Sequence, residues 1–175
     1  MNNIIIYGSQ YGATKKYAEE LSRRTNIQAI SFEDVKDINN YNKIVYIGGL
    51  YAGGVLGMSK TLNKLNNISK KTIIIVTVGL ADPTDTENIN NIRNNLKRQL
   101  KKDVFEEAKI FHLRGGIDYS KLNFVHKTMM SLLYKKAKKL PEEKKNAEVK
   151  AMIDTYNKKV DFTDFSSLDR IINEI

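Results

Sequence analysis

The stretch NIIIYGSQYGATKKYAEEL, residues 3–21, joins an unbroken apolar run to a small-residue loop and then to a helical pattern. Ile4, Ile5 and Ile6 follow one another with no alternating polar residue, which predicts a strand over 3–7 that is buried on both faces of a sheet. From Ala13 onward, Tyr17, Ala18 and Leu21 recur at helical spacing and predict a helix over 13–24. Between them, Gly8-Ser9-Gln10-Tyr11-Gly12-Ala13-Thr14 puts two glycines and two small hydroxyls at a helix N-terminus. Glycine permits close main-chain approach, and the first N–H groups of a helix have no partner inside it. Amides, hydroxyls and the positive end of the helix dipole therefore converge on a place suited to an anion.

Working outward, residues 43–48 and 72–78 repeat the fully apolar strand pattern, while 27–32 and 108–113 are shorter and partly polar, as edge strands are. Helical patterns over 56–67 and 84–101 lie between them. This alternation predicts an α/β layered fold, a parallel sheet with right-handed crossovers. The ten glycines are expected at or just beyond the C-terminal ends of strands, the edge at which open parallel sheets bind ligands. The run Gly48-Gly49-Leu50-Tyr51-Ala52-Gly53-Gly54 is richer in glycine than a short turn requires.

A chain of 175 residues with 41 % hydrophobic content suffices for one domain with a real core. It has no cysteine, which excludes disulfides, thiolate metal sites and a cysteine nucleophile; no metal is expected, and a cytoplasmic location is. The apolar runs are too short to span a bilayer, and the N-terminus enters a strand without the pattern of a signal peptide. The net charge of +9 is concentrated: residues 93–150 carry 16 Lys/Arg against 7 Asp/Glu, and the rest of the chain carries 13 of each. Such a surplus either solvates helix faces or attracts an anionic partner such as a membrane surface, an acidic protein or an acidic small molecule.

The first loop lacks the G-x-x-x-x-G-K-[ST] order of a triphosphate site and the G-x-G-x-x-G of a dinucleotide site. Its neutral cradle suits a terminal monophosphate. Ser9-x-Tyr11-Gly12-x-Thr14 resembles the phosphate loop of flavodoxins, with Tyr11 in place of the middle threonine of that motif. The resemblance implies a flavodoxin-like, five-stranded sheet in the order 2-1-3-4-5 with helices on both faces, and bound FMN. Ser9, Gln10, Tyr11, Gly12, Ala13 and Thr14 would hold the phosphate. Leu50, Tyr51, Ala52 and Gly53 would border the isoalloxazine, and Gly79, Leu80, Ala81 and Asp82 would form the third loop. That loop has no aromatic to stack on the ring, which would leave one flavin face open to a substrate.

After the fifth strand a helical insertion is expected at about 117–164, before a closing helix over 165–175 with Ser166 as its cap. Within it, a basic helix over 119–139 carries an apolar stripe of Leu122, Val125, Met129, Leu132, Leu133 and Leu140, opposite Lys127, Lys135 and Lys138. The stripe either packs on the sheet edge or on the next helix, expected over 142–156, or forms an interfacial element that rests on anionic lipid or guards a substrate entrance. His112 is read as a core histidine and His126 as a surface-packed one; no catalytic residue is assigned.

Gly115-Gly116-Ile117-Asp118-Tyr119, the basic helix and the tail Val160-Asp161-Phe162-Thr163-Asp164-Phe165 are similar to the flavodoxin-type, menaquinone-dependent protoporphyrinogen dehydrogenase family. That resemblance implies an FMN-dependent oxidoreductase that removes hydrogen from a carboxylate-bearing tetrapyrrole and passes electrons to a quinone, with peripheral membrane contact. A small electron-transfer flavodoxin is the alternative, and a flavin-free binding module with a basic surface the second. The basic run lacks the interleaved aromatics of a single-strand binder, so no nucleic-acid partner is expected.

Overall fold

The computed structural model describes residues 2–51 and 53–175. In chain order the elements are β1 (Asn3–Gly8), α1 (Ala13–Thr25), β2 (Ala29–Ser31), β3 (Lys43–Tyr51), β4 (Gly54–Val55), α2 (Met58–Leu62) and β5 (Thr72–Gly79). There follow α3 (Thr86–Gln99), α4 (Lys102–Glu107), β6 (Lys109–Arg114), β7 (Gly116–Asp118), α5 (Phe124–Lys138), α6 (Ala147–Thr155), β8 (Lys159–Asp161) and α7 (Asp169–Ile172).

Five strands pair in parallel in the order β2-β1-β3-β5-β6, the strand order expected from the sequence. One strand is additional: β3 runs past Gly48 and folds back on itself, so that Leu50 opposes Val55 and Tyr51 opposes Gly54 in an antiparallel pair. The all-apolar strands are buried as their composition demands, and the pleat sends successive residues to opposite faces. Ile4, Ile6, Ile44, Tyr46, Ile73 and Ile75 face one layer, which α2, α3 and α4 cover with Met58, Leu62, Ile92, Leu96 and Val104. Ile5, Val45, Ile47, Ile74 and Val76 face the other, covered by Tyr17, Ala18 and Leu21 of α1 and Ile171 of α7. Cutting any of these isoleucines to alanine removes about 2–5 kcal/mol of stability.

The helices are shorter than their patterns suggested. The pattern over 56–67 yields α2 alone, followed by a 3-10 turn at Ile68–Lys70, and that over 84–101 ends before the separate α4. The closing segment is a 3-10 turn, Phe165–Leu168, leading into α7, and its cap is Asp164, not Ser166: the Asp164 carboxylate accepts from the Ser166 amide at 2.9 Å. Aspartate at that position already supplies the acceptor, which leaves the Ser166 hydroxyl to donate back to it at 2.7 Å.

The insertion is not purely helical. β7 and β8 form an antiparallel pair that brackets α5 and α6, with Ile117 opposite Val160. Its small core of Ile117, Tyr119, Leu122 and Met130 is separate from the sheet cores and touches Tyr11 and Leu80 of the sheet-edge loops. Tyr134 of α5 stacks on Tyr156 with ring centroids 3.9 Å apart, tying the two helices together. The expected apolar stripe is not what this helix buries: Met130 and Ala137 are buried, whereas Val125 is 69 % and Leu132 62 % exposed. The helix lies over loops rather than on the flat sheet, so the loop aromatics set its contact line.

Candidate functional site

The loop leaving β1 is shaped by close backbone approach. Behind it, the buried Tyr46 hydroxyl donates to the Leu56 carbonyl at 2.6 Å, and a Cβ on Gly8 would overlap that carbonyl. Gly12 occupies the N-cap of α1 with φ +94°, a conformation that side chains resist. Ser9 Oγ accepts from the Gly12 amide at 3.2 Å and from the Lys15 amide at 3.3 Å, folding the loop around its hydroxyl. The first intrahelical bond is Lys16 N–H to Gly12 C=O, so the amides of Ala13 and Thr14 belong to the turn with no acceptor inside the helix. A space open opposite Gly12 and amides without helical partners together make a seat suited to an anion.

Beside that seat lies a cavity of about 530 Å³ at the C-terminal edge of the sheet. Gln10, Tyr11, Ala13 and Thr14 line it from the first loop; Leu50, Tyr51 and Gly53 from the second; Gly79 and Leu80 from the third. Of the other residues expected at a ligand, Ser9 and Gly12 shape the loop rather than the wall. Ala81 is buried beside it, and Asp82 turns away to accept from the Thr84 amide at 2.8 Å and hydroxyl at 2.7 Å. Those bonds hold the Asp82 carboxyl below its ordinary range. Ala52 lies outside the described residues.

The insertion roofs this cavity. Met130 and Ala137 of α5 and Val149 and Met152 of α6 contribute lining, and two polar contacts clamp α5 to the loops. The Gln10 side-chain nitrogen meets His126 Nε2 at 2.8 Å, and the Tyr51 hydroxyl donates to Met129 Sδ at 2.9 Å. His126, read as surface packing in the sequence, thus bridges the insertion to the first loop and meets the Tyr11 ring edge-on at 6.1 Å. His112 is a buried core residue whose Nδ1 pairs with Thr77 Oγ1 at 2.7 Å. Among the described residues, no group of three or more His, Asp or Glu lies together to hold a metal.

Two features of the wall were not foreseen. The Tyr11 hydroxyl is buried and has no hydrogen-bond partner among the described residues, and burial with Tyr51 alongside pushes it up to about 12, so it stays a neutral donor. Glu148 of α6 also lines the cavity and accepts from the Ala81 amide at 3.2 Å. Burial raises its carboxyl above the usual range, against the opposing pull of the Ala81 and Leu80 amides and of Arg114. In the sequence, Glu148 reads as an acid in the first turn of a helix, a common surface choice, and nothing there signals that the turn faces inward.

No curated protein matches the chain. Among solved structures, a flavoprotein of Lactobacillus acidophilus in complex with FMN is similar at 12 % identity and TM-score 0.45, over 65 % of this chain and 91 % of that one. A flavodoxin of Fusobacterium nucleatum bound to FMN is similar at 16 % identity and TM-score 0.43, over 67 % and 80 % of the two chains. A mutant flavodoxin of Pseudomonas aeruginosa is similar at 13 % identity and TM-score 0.41, over 75 % and 93 %. The family model described as "Flavodoxin domain" matches residues 4–145, a span that takes in the sheet, all three loops and α5. This chain belongs to the flavodoxin family.

Proposed function

We propose that this protein is an FMN-dependent redox protein whose cofactor fills the cavity at the sheet edge, with its phosphate on residues 9–14. The observation that carries the reading is the junction of two unlike environments: an anion seat of amides and hydroxyls opening into an apolar wall built from three loops. The residues present fit such a ligand. Ser9 and Thr14 supply hydroxyls and Ala13 and Thr14 supply amides, while Gly12 leaves the approach clear. The unpartnered Tyr11 hydroxyl offers a donor to a polar edge, and about 530 Å³ is within the usual range of a ligand site.

When bound, the isoalloxazine supplies electron and hydride transfer. This chain's own residues would position and shelter it: Leu50, Tyr51 and Gly53 on the second loop, and Leu80 on a third loop that carries no aromatic of its own. Helices α5 and α6 line the cavity from above. That roof supports a protein acting on a substrate, and a dehydrogenase of the protoporphyrinogen type that passes electrons to a quinone is the specific form we favour. A plain electron-carrying flavodoxin is the second reading, favoured by a family match that includes α5 but stops before α6.

The outer face of α5 supports a peripheral seat on anionic lipid, where a quinone would be met. Phe124 is 83 % exposed, and Val125 and Leu132 are also exposed on a helix carrying the exposed Lys127, Lys135 and Lys138. Among the described residues no helix is long and apolar enough to cross a membrane.

Flavin-loaded protein mixed with a porphyrinogen and a menaquinone analogue tests the specific form. Acceptor-dependent oxidation supports it. Absence of turnover, together with electron uptake in two resolved one-electron steps, supports the carrier.

A further inference from the structure

Glu148 is the carboxylate in the cavity wall among the described residues, and neither phosphate binding nor shelter of the ring uses it. Its position is built rather than incidental. The α6 cap Asn146 accepts from the Val149 amide at 2.9 Å and fixes the first turn, so the carboxylate projects from a rigid element. Gly79 makes room for it: a Cβ there would overlap Glu148 Oε1 and lie 2.7 Å from Leu50 Cδ1. Oε1 is seated on the Ala81 amide, in the third loop.

The charged and titratable groups around it come from each packed element. Arg114 at the end of β6 is already engaged, donating from Nε to the Leu80 carbonyl at 2.8 Å and lying over the Phe162 ring. Lys136 of α5 lines the same cavity, the first loop brings the neutral Tyr11 hydroxyl, β3 brings Tyr51, and α3 brings the amides Asn88, Asn91 and Asn95.

We propose that Glu148 is the proton-exchanging group of the cavity: when FMN fills it, the carboxylate stays on the Ala81 amide and takes up one proton. The inference rests on the FMN reading above. The step is protonation alone, carboxylate plus proton giving carboxylic acid, with no electron transferred. A ligand laid against this wall removes the remaining water from a carboxylate that burial already disfavours in its charged form. The protonated group keeps one oxygen for the Ala81 amide and offers an O–H to an acceptor on the ligand.

The test is calorimetric titration of FMN into wild-type protein and Glu148→Gln, each in two buffers of different ionisation heat near neutral pH. The phosphate of FMN ionises alike in both proteins, so the difference isolates Glu148. The proposal expects wild type to take up close to one more proton per FMN than the variant. By linkage, wild-type affinity then tightens relative to the variant as pH falls, by up to about tenfold per pH unit within the titrating range.

Equal proton uptake overturns the proposal and leaves the FMN reading standing. Net release from wild type relative to the variant also overturns it, because it means that FMN displaces the carboxylate to solvent. No FMN binding by wild type overturns both. If the variant alone fails to bind, difference infrared spectra of wild type decide: a protonated-carboxyl band appearing with FMN supports the proposal, and its absence overturns it.

Discussion

Replacing Gly8 with alanine tests how the first loop is held. A Cβ there would overlap the Leu56 carbonyl, 3.1 Å from its carbon, and would crowd the Tyr46 hydroxyl at 3.2 Å. Relief requires the segment after β4 to move, which breaks the 2.6 Å bond from Tyr46 to Leu56. Overpacking in a well-filled interior costs about 1–3 kcal/mol, and stranding a fully buried tyrosine hydroxyl about 1–3 kcal/mol more. The reduced freedom of the unfolded chain offsets about 0.4–1 kcal/mol. The net expectation is a loss of about 3 kcal/mol, seen as a melting temperature lower by roughly 10 °C. Gly12→Ala is the matched comparison, since nothing lies within 4 Å of its added Cβ and only the left-handed backbone is strained, at about 1–2 kcal/mol. Urea unfolding of both variants at one pH measures the difference. The reasoning is refuted if Gly8→Ala proves no more destabilising than Gly12→Ala.

Burial, with Arg93 and Arg170 nearby, lowers the His112 imidazole from 6.5 to about 4, so the folded state holds it neutral where the unfolded chain protonates it. Stability is therefore lost as pH falls from 6.5 toward 4, about 3 kcal/mol in all, and His112→Gln should flatten that part of the urea-midpoint profile. Asp164→Ala should cost about 1 kcal/mol in thermal unfolding, and more than Ser166→Ala, because the aspartate accepts the cap bond. Vesicles rich in anionic lipid should co-sediment with the wild-type protein and not with a Phe124→Ser/Leu132→Ser double variant; equal sedimentation would remove α5 as the docking face.

Both core layers were legible because the strands are apolar throughout, and isoleucine runs such as Ile73–Ile74–Ile75 have no other stable place than between two helical layers, whereas the strand order followed only from the resemblance of residues 9–14 to the flavodoxin phosphate loop. The three loops were legible for a related reason: glycines and small hydroxyls at strand ends are constrained by the backbone that follows them. The insertion was not, because its contacts are made to loops whose shape is a tertiary product. Leu132 and Met130 are both apolar residues on α5, and only the position of Ile117, Tyr119 and Leu122 decides that Met130 is the one buried. The β7–β8 pair has no signature in the sequence because three-residue strands about forty residues apart carry no periodicity. Glu148 was hidden in the same way, as an ordinary helix-start acid until α6 is laid against Gly79 and Leu80.

If residues 9–14 seat a phosphate at the mouth of a flavin cavity, FMN and riboflavin must bind with different affinity. Fluorescence quenching gives both dissociation constants on the same protein, and the two ligands differ only in the phosphate. Charge-assisted bonds from amides and hydroxyls, at about 1.5–3 kcal/mol each, predict FMN at least about a hundredfold tighter, with most of that margin lost in Ser9→Ala/Thr14→Val. Equal affinity for FMN and riboflavin, or binding of neither, would contradict the account.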